Sequence, residues 1–206
     1  MMDGVWLFGA LEAFARRSGG ARQRLEYAPL VALLRTEVIA PENSGAAKFW
    51  LAAAVDERNE SQRKFAFALK SAGIDVAPVD YRRAIVVAAS SAGTGAEAQA
   101  SSLASLIGFN LGRLSRRNLA ELVIVSGSFE HAAALQAFRN YSPRTRISVA
   151  YFGSLLDRRW FQFGLFDGSE NPIRWFDLEP HAKAIGLDLP VATGPGAPAT
   201  ADDLFA

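Results

Sequence analysis

The chain reads as a three-layer α/β domain, Rossmann-like, on a mostly parallel sheet, and three observations predict it. Short, almost uninterrupted apolar runs recur along the sequence, as in FWLAAAV at 49–55 and LVIV at 122–125. Strands this uniformly apolar belong to sheets covered on both faces. Amphipathic stretches of helical length separate the runs, the alternation that builds βαβ units. The length, 206 residues with 50% of them apolar, is that of one domain with a sizeable core.

The elements follow in order. After the strand 49–55, the stretch 59–72 places Phe65, Ala68, Leu69 and Ala72 at helical spacing, and Gly73 stops the helix. Residues 74–79 and 84–89 are strand candidates. The small polar segment 90–102 (SSAGTGAEAQASS) is a loop leading into a helix over 96–114, where Leu103, Leu106, Ile107, Asn110 and Leu114 share a face. The strand 122–125, a helix over 130–139, a strand at 147–152 and a last one at 173–176 complete the series. Three regions are expected: a domain over 1–155, an aromatic extension packed on it over 156–186, and a flexible Gly/Pro/Ala tail over 187–206. The acidic-apolar end of that tail, Asp202 to Phe205, is either a short docking motif or an unused terminus.

Composition excludes several classes. So much Val, Leu, Ile and Phe rules out a disordered or collagen-like chain. With no cysteine there are no disulfides, thiolate metal sites or Cys nucleophile, which fits a reducing compartment. No apolar run reaches the roughly 18 residues of a membrane span and no signal segment opens the chain, so a soluble, cytoplasmic protein without membrane partners is expected. The net charge is only +1, yet of 22 cations all but Lys48, Lys64, Lys70 and Lys183 are arginine. Clusters such as Arg82 with Arg83, and Arg113 with Arg116 and Arg117, are candidate nucleic-acid contacts, because the guanidinium fork suits phosphate and stacks on bases. Compositional bias of a high-GC genome is the plainer explanation of any one cluster.

In parallel sheets ligands sit beyond the carboxyl ends of the strands. The residues there are Asp56, Ser90 and Ser91, Ser126 to Glu130, and Gly153 to Ser154. The segment LVIVSGSFEHAAALQAFR (122–139) resembles the strand-turn-helix of the NYN branch of PIN-like ribonucleases, where a strand ends in S-G-D-x-D-F. The opening DGVWLF (3–8) resembles the D-G-x-N-L start of that family, in which a first strand delivers an aspartate and a helix begins; a GIDV step at 73–76 and the long helix stand in the same order. The likeness covers about residues 1–155.

It implies three or four carboxylates gathered at strand ends to hold Mg²⁺ or Mn²⁺, which activates a water for RNA cleavage. Carried over by position, Asp3 matches the first aspartate, Ser128 stands at the first acid of S-G-D-x-D, and Glu130 at the second. Trp6 replaces the asparagine. The acids that open the long helix have no clear match, although Glu97 is near, and Asp56 is a candidate compensating acid or a residue of a helix N-cap. A serine brings no charge to a hard cation, so a degraded metal site is expected. Only Met1 and Met2 precede Asp3, which suggests a misplaced start or a sheet edge built differently.

Other groups say less. His131 is either an acid-base group near the site or, the favoured reading, a surface or capping residue. His181 has no evident partner. Ser126-Gly127-Ser128 is not a G-x-S-x-G elbow, and Gly93-Thr94-Gly95 lacks the remainder of a phosphate loop. The stretch 158–177 (RRWFQFGLFDGSENPIRWFD) is the densest in aromatics. It suggests a base-stacking or partner surface, or, as favoured, a hairpin turning at 167–172 whose aromatics, Trp160, Phe161 and Trp175 among them, cover the sheet or a dimer interface. The expected function is an NYN/PIN-like domain that binds RNA or a protein partner with little or no hydrolysis. The alternatives are an active Mg²⁺/Mn²⁺ endoribonuclease using Asp3 and Glu130, aided by Asp56 or Glu97, and an oligomerising scaffold.

Overall fold

A computed structural model describes residues 1–55, 59–80, 95–162 and 172–189. Six strands form one parallel sheet: β1 (Met2–Asp3), β2 (Phe49–Val55), β3 (Ile74–Asp80), β4 (Glu121–Val125), β5 (Arg146–Tyr151) and β6 (Arg174–Asp177). Their spatial order is β3-β2-β1-β4-β5-β6, which is doubly wound about the boundary between β1 and β4.

One face of the sheet is covered by α1 (Gly4–Arg17), α2 (Tyr27–Leu33), which runs on as a π-helical turn over Leu34–Val38, and the 3₁₀ segment Glu179–Ile185. From them Leu7, Phe14, Leu30, Leu34 and Ile185 pack against Met2, Leu51 and Ala150 of the strands. On the opposite face, α5 (Gly95–Leu114) and α6 (Ala132–Tyr141) bury Ile107, Leu111, Leu135 and Phe138 against Leu122, Ile124, Ile147 and Val149. Two apolar clusters on opposite faces of a parallel sheet are the three-layer arrangement that the uniformly apolar strands require. The short α3 (Pro41–Ser44) and α4 (Glu60–Ser71) complete the described helices. Asn59 caps α4 by accepting from the Ser61 and Gln62 amides, and Gly73, at φ +78°, makes the left-handed exit that a side chain would resist.

Two expectations change. The aromatic stretch does not make a hairpin in its described parts. Arg158–Gln162 is a 3₁₀ turn, and Arg174–Asp177 joins the main sheet as its parallel edge strand beside β5. The described parts of that region, 156–162 and 172–186, therefore belong to the one core. Residues 187 and 188, expected in the tail, belong to the folded part: Leu187 is buried, and the Asp188 amide and carbonyl are held by the Gln23 side chain. Residues 84–89, 90–94 and 190–206 lie outside the described residues, as does the 167–171 part of the expected turn. Among the described residues, no helix is long and apolar enough to cross a membrane.

Candidate switch-point site

Winding reverses between β1 and β4, and their carboxyl ends frame the crevice where such sheets bind ligands. β1 supplies Asp3 there and passes directly into α1. Only glycine fits at the junction, because a Cβ on Gly4 would run into the Ala52 carbonyl oxygen of β2. Asp3 thus becomes the N-cap of α1, its Oδ1 accepting from the Trp6 amide at 3.1 Å. Its Oδ2 accepts from the Ser126 hydroxyl at 3.0 Å and faces His131 Nε2 at 2.8 Å. Ser126 follows β4, and His131 closes the 3₁₀ turn Phe129–His131 that leads into α6.

Asp3 is only 5% exposed, and Ser126 and His131 are buried with it. Burial pushes the Asp3 carboxyl up, but the His131 ring, the Trp6 amide and the Ser126 hydroxyl together outweigh it and hold the group below the usual carboxylate range. An ionised Asp3 can only accept, so Nε2 of His131 is the protonated ring nitrogen in that contact. His131 Nδ1 is buried with no hydrogen-bond partner among the described residues.

This arrangement uses Asp3 as a structural acceptor. Three of its roughly four lone-pair positions are occupied by groups of the fold itself. A divalent cation would have to displace them and then reach a buried oxygen. The other wall of the crevice is filled as well: Trp6 lies on Gly127, where an added Cβ would be 2.9 Å from the indole, and stacks on Phe152 with ring centres 5.5 Å apart. Nor is this a nucleophile-base-acid triad. Ser126 and His131 both bond the same carboxylate oxygen, whereas a triad needs the histidine on the serine.

The two acids of the expected metal pair differ in setting: Asp3 is buried among its hydrogen-bond partners. Glu130 is exposed, beside the Arg159 guanidinium, and Ser128 caps the 3₁₀ turn by accepting from the Glu130 amide at 3.3 Å. Among the described residues, no three His, Asp or Glu side chains converge as a metal site would require. Asp56 lies outside the described residues, and Glu97 is on α5 without a described side chain. His131 is not the surface residue favoured from sequence; it stands at the N-cap position of α6 without a side-chain capping bond and is the buried partner of Asp3. A further acid stands at the same edge of the sheet, three strands from Asp3: Asp177 of β6, whose Oδ1 accepts from the Gly153 and Glu179 amides and whose carboxyl burial pushes up.

Trp160, named from sequence as a candidate partner contact, is a core residue. Trp160 is 1% exposed, donates its indole N–H to the Gly127 carbonyl at 3.3 Å and packs edge-on against Phe129 and Trp175. It supports the turn after β4 from inside and offers no surface to a partner. Trp175 is half-buried between Trp160 and Tyr151, and the Phe161 side chain is not described.

No family's sequence pattern matches the chain, and no curated protein matches it. Among solved structures it is similar to a protein of unknown function from Vibrio parahaemolyticus, at 13% identity and a TM-score of 0.52, over 86% of this chain and 91% of the other. The likeness shows the fold alone.

The described arginines named from sequence lie at the other end of the sheet. Arg113 ends α5, and Arg116 and Arg117 follow it before β4; all three are exposed. The C-terminus of α6 sits beside them, joined by the Ser142 hydroxyl to the Ser115 carbonyl at 2.9 Å. Two aromatics that pattern reading had not singled out stand on these same helix ends: Phe109, 64% exposed, with the Arg113 guanidinium 6.0 Å from its ring centre, and Tyr141, 78% exposed. Arg82 and Arg83 are outside the described residues.

Proposed function

We propose that this chain is an NYN/PIN-like domain that binds single-stranded RNA with little or no hydrolysis. One observation carries the reading: two large, exposed aromatic rings stand among exposed arginines at the adjoining ends of α5 and α6. Single-stranded nucleic acid is held by this combination, with bases stacking on rings while cations meet the phosphates. Arg144, in the turn after α6, adds another exposed cation. The saturated state of Asp3 supports the second half of the proposal, since the acid that the family resemblance makes catalytic is bonded to the protein's own groups.

The test is binding of a fluorescent single-stranded RNA to the full chain at several salt concentrations. Affinity is expected to fall steeply with salt, with a slope of about 0.7 per phosphate neutralised. Phe109→Ala and Tyr141→Ala each should weaken binding by about 1–3 kcal/mol with little change in the salt slope. Arg116→Ala with Arg117→Ala should make that slope shallower. Binding that ignores all four positions overturns the assignment to this patch.

A further inference from the structure

Toward its end α5 carries two glycines, and they stand in different surroundings. Gly108 faces α6: a Cβ built there would touch the Ala134 Cβ at 3.7 Å, so the residue is small where the two helices lie against each other. Gly112 is one turn farther along the same flank and exposed, and a Cβ there would meet no atom within 4 Å. Its backbone is ordinary helix, without the positive φ that calls for glycine at Gly73 and Gly186. Glycine inside a helix is less stable than alanine, because the bare chain has more freedom to lose on folding. Neither packing nor backbone conformation therefore requires glycine at position 112.

Open space alone is not a site, and Gly9 of α1 shows it: that glycine is as open and as exposed, on the other face of the sheet. Gly112 differs in its neighbours. Phe109 stands one turn before it and Arg116 one turn after, both exposed, and the Arg113 guanidinium lies 6.0 Å from the Phe109 ring centre. The contacts of Gly108 with Ala134 and of Ser115 with Ser142 advance together, so α5 and α6 run parallel. Tyr141, two turns past Ala134, is thus on the flank of α6 that faces α5. Helical side chains lean back toward the N-terminus, which brings the Tyr141 ring back toward the level of Gly112. Bare backbone therefore separates two exposed rings, with exposed arginines alongside.

We propose that Gly112 is the crossing point of the bound strand: bases stack on Phe109 and on Tyr141, and the ribose-phosphate chain that joins them lies directly on the α5 backbone at Gly112. The crossing point rests on the RNA reading above and adds to it a residue that carries neither ring nor charge. Glycine is the residue that lets a backbone approach a ligand closely, and any side chain at 112 would hold the strand away from both rings at once. Arg113 and Arg116, on the outer face of α5 beside it, meet the phosphates on either side of the crossing. Contact through sugar and phosphate carries no base identity, so the strand selected is single-stranded and of any sequence. A duplex is rejected, because its bases are already paired and stacked on one another.

The test is binding of a fluorescent oligouridylate to the full chain, compared across Gly112→Leu, Gly112→Ala, Gly9→Leu and Tyr141→Ala, with a thermal unfolding curve for each. Gly112→Leu is expected to weaken binding about tenfold or more, and Gly112→Ala by a smaller factor. Their unfolding midpoints should stay level or rise by about 1–4 °C, since leucine and alanine are better helix formers than glycine. Gly9→Leu should bind as the unaltered chain does. When Gly112→Leu is combined with Tyr141→Ala, the loss should be smaller than the product of the separate losses, because both act on one stretch of strand. Undiminished binding by Gly112→Leu, while Tyr141→Ala binds weakly, would overturn the crossing point and leave the RNA patch standing. Absence of RNA binding by the unaltered chain would overturn both. Equal weakening by Gly9→Leu, or a midpoint lowered by Gly112→Leu, would also overturn the crossing point, the first by showing that bulk anywhere acts alike and the second by contradicting the open space at 112.

Discussion

Asp3→Ala is expected to destabilise the fold by about 3–5 kcal/mol, the usual cost of removing one partner from a buried, hydrogen-bonded ionic group. The change removes the N-cap of α1 and leaves the Ser126 hydroxyl, the His131 ring nitrogen and the Trp6 amide without their acceptor. At about 2–4 °C per kcal/mol for a chain of this length, thermal unfolding should move down by roughly 6–20 °C. A metal-holding aspartate behaves the other way, since carboxylates gathered for a cation repel one another and the apo-protein loses little stability when one is removed. The pH dependence follows from the depressed Asp3 carboxyl. Its stabilising contribution is complete above the ordinary aspartate value near 3.8 and is lost as pH falls through the lower folded value. Thermal unfolding of Asp3→Asn, compared with the unaltered chain from pH 6 to pH 3, should therefore show the two converging only at the acid end. A difference that is constant with pH would contradict the assignment.

Trp160→Ala is expected to cost a similar amount, about 3–5 kcal/mol, because the indole is fully enclosed between Phe129 and Trp175 and its N–H holds the Gly127 carbonyl. Denaturant unfolding measures the loss, with the midpoint shifting to lower denaturant. Were Trp160 a contact with a second copy, the same substitution would change the molecular mass in solution while sparing the unfolding midpoint. Light scattering alongside the unfolding curve separates the two outcomes.

How much of this was legible in the sequence depends on whether the signal was local. Strands β2 to β5 and helices α4 to α6 were, because uninterrupted apolar runs and helical spacing are properties of consecutive residues. The position of Gly73 was legible for the same reason. Of the three helices between Asp3 and β2, only the first was indicated, and that by the resemblance at 3–8; β1, at two residues, is too short to have a pattern of its own, and its central place comes from its neighbours. The family resemblance led to Asp3 as the acid that matters, but not to what it does. Ser126 and His131 lie more than 120 residues from Asp3, and nothing in their local spacing announces that both will bond one carboxylate oxygen. Burial of His131 on the sheet side of the turn decides between ligand, cap and core partner, and burial is a tertiary fact. The aromatic stretch misled for a related reason: turn-forming residues at 167–172 between two aromatic runs suggested a hairpin, whereas Trp160 sits in a 3₁₀ turn and is buried.

The central claim is that the domain binds RNA and leaves it intact. It is tested most directly by incubating the full chain with end-labelled single-stranded RNA in the presence of Mn²⁺ and resolving bound and cleaved species together. The account predicts a retarded complex that releases full-length RNA, with Asp3→Asn unchanged in this respect and Phe109→Ala needing about 5- to 150-fold more protein to form the complex. Mn²⁺-dependent cleavage that disappears in Asp3→Asn or Glu130→Gln would contradict it.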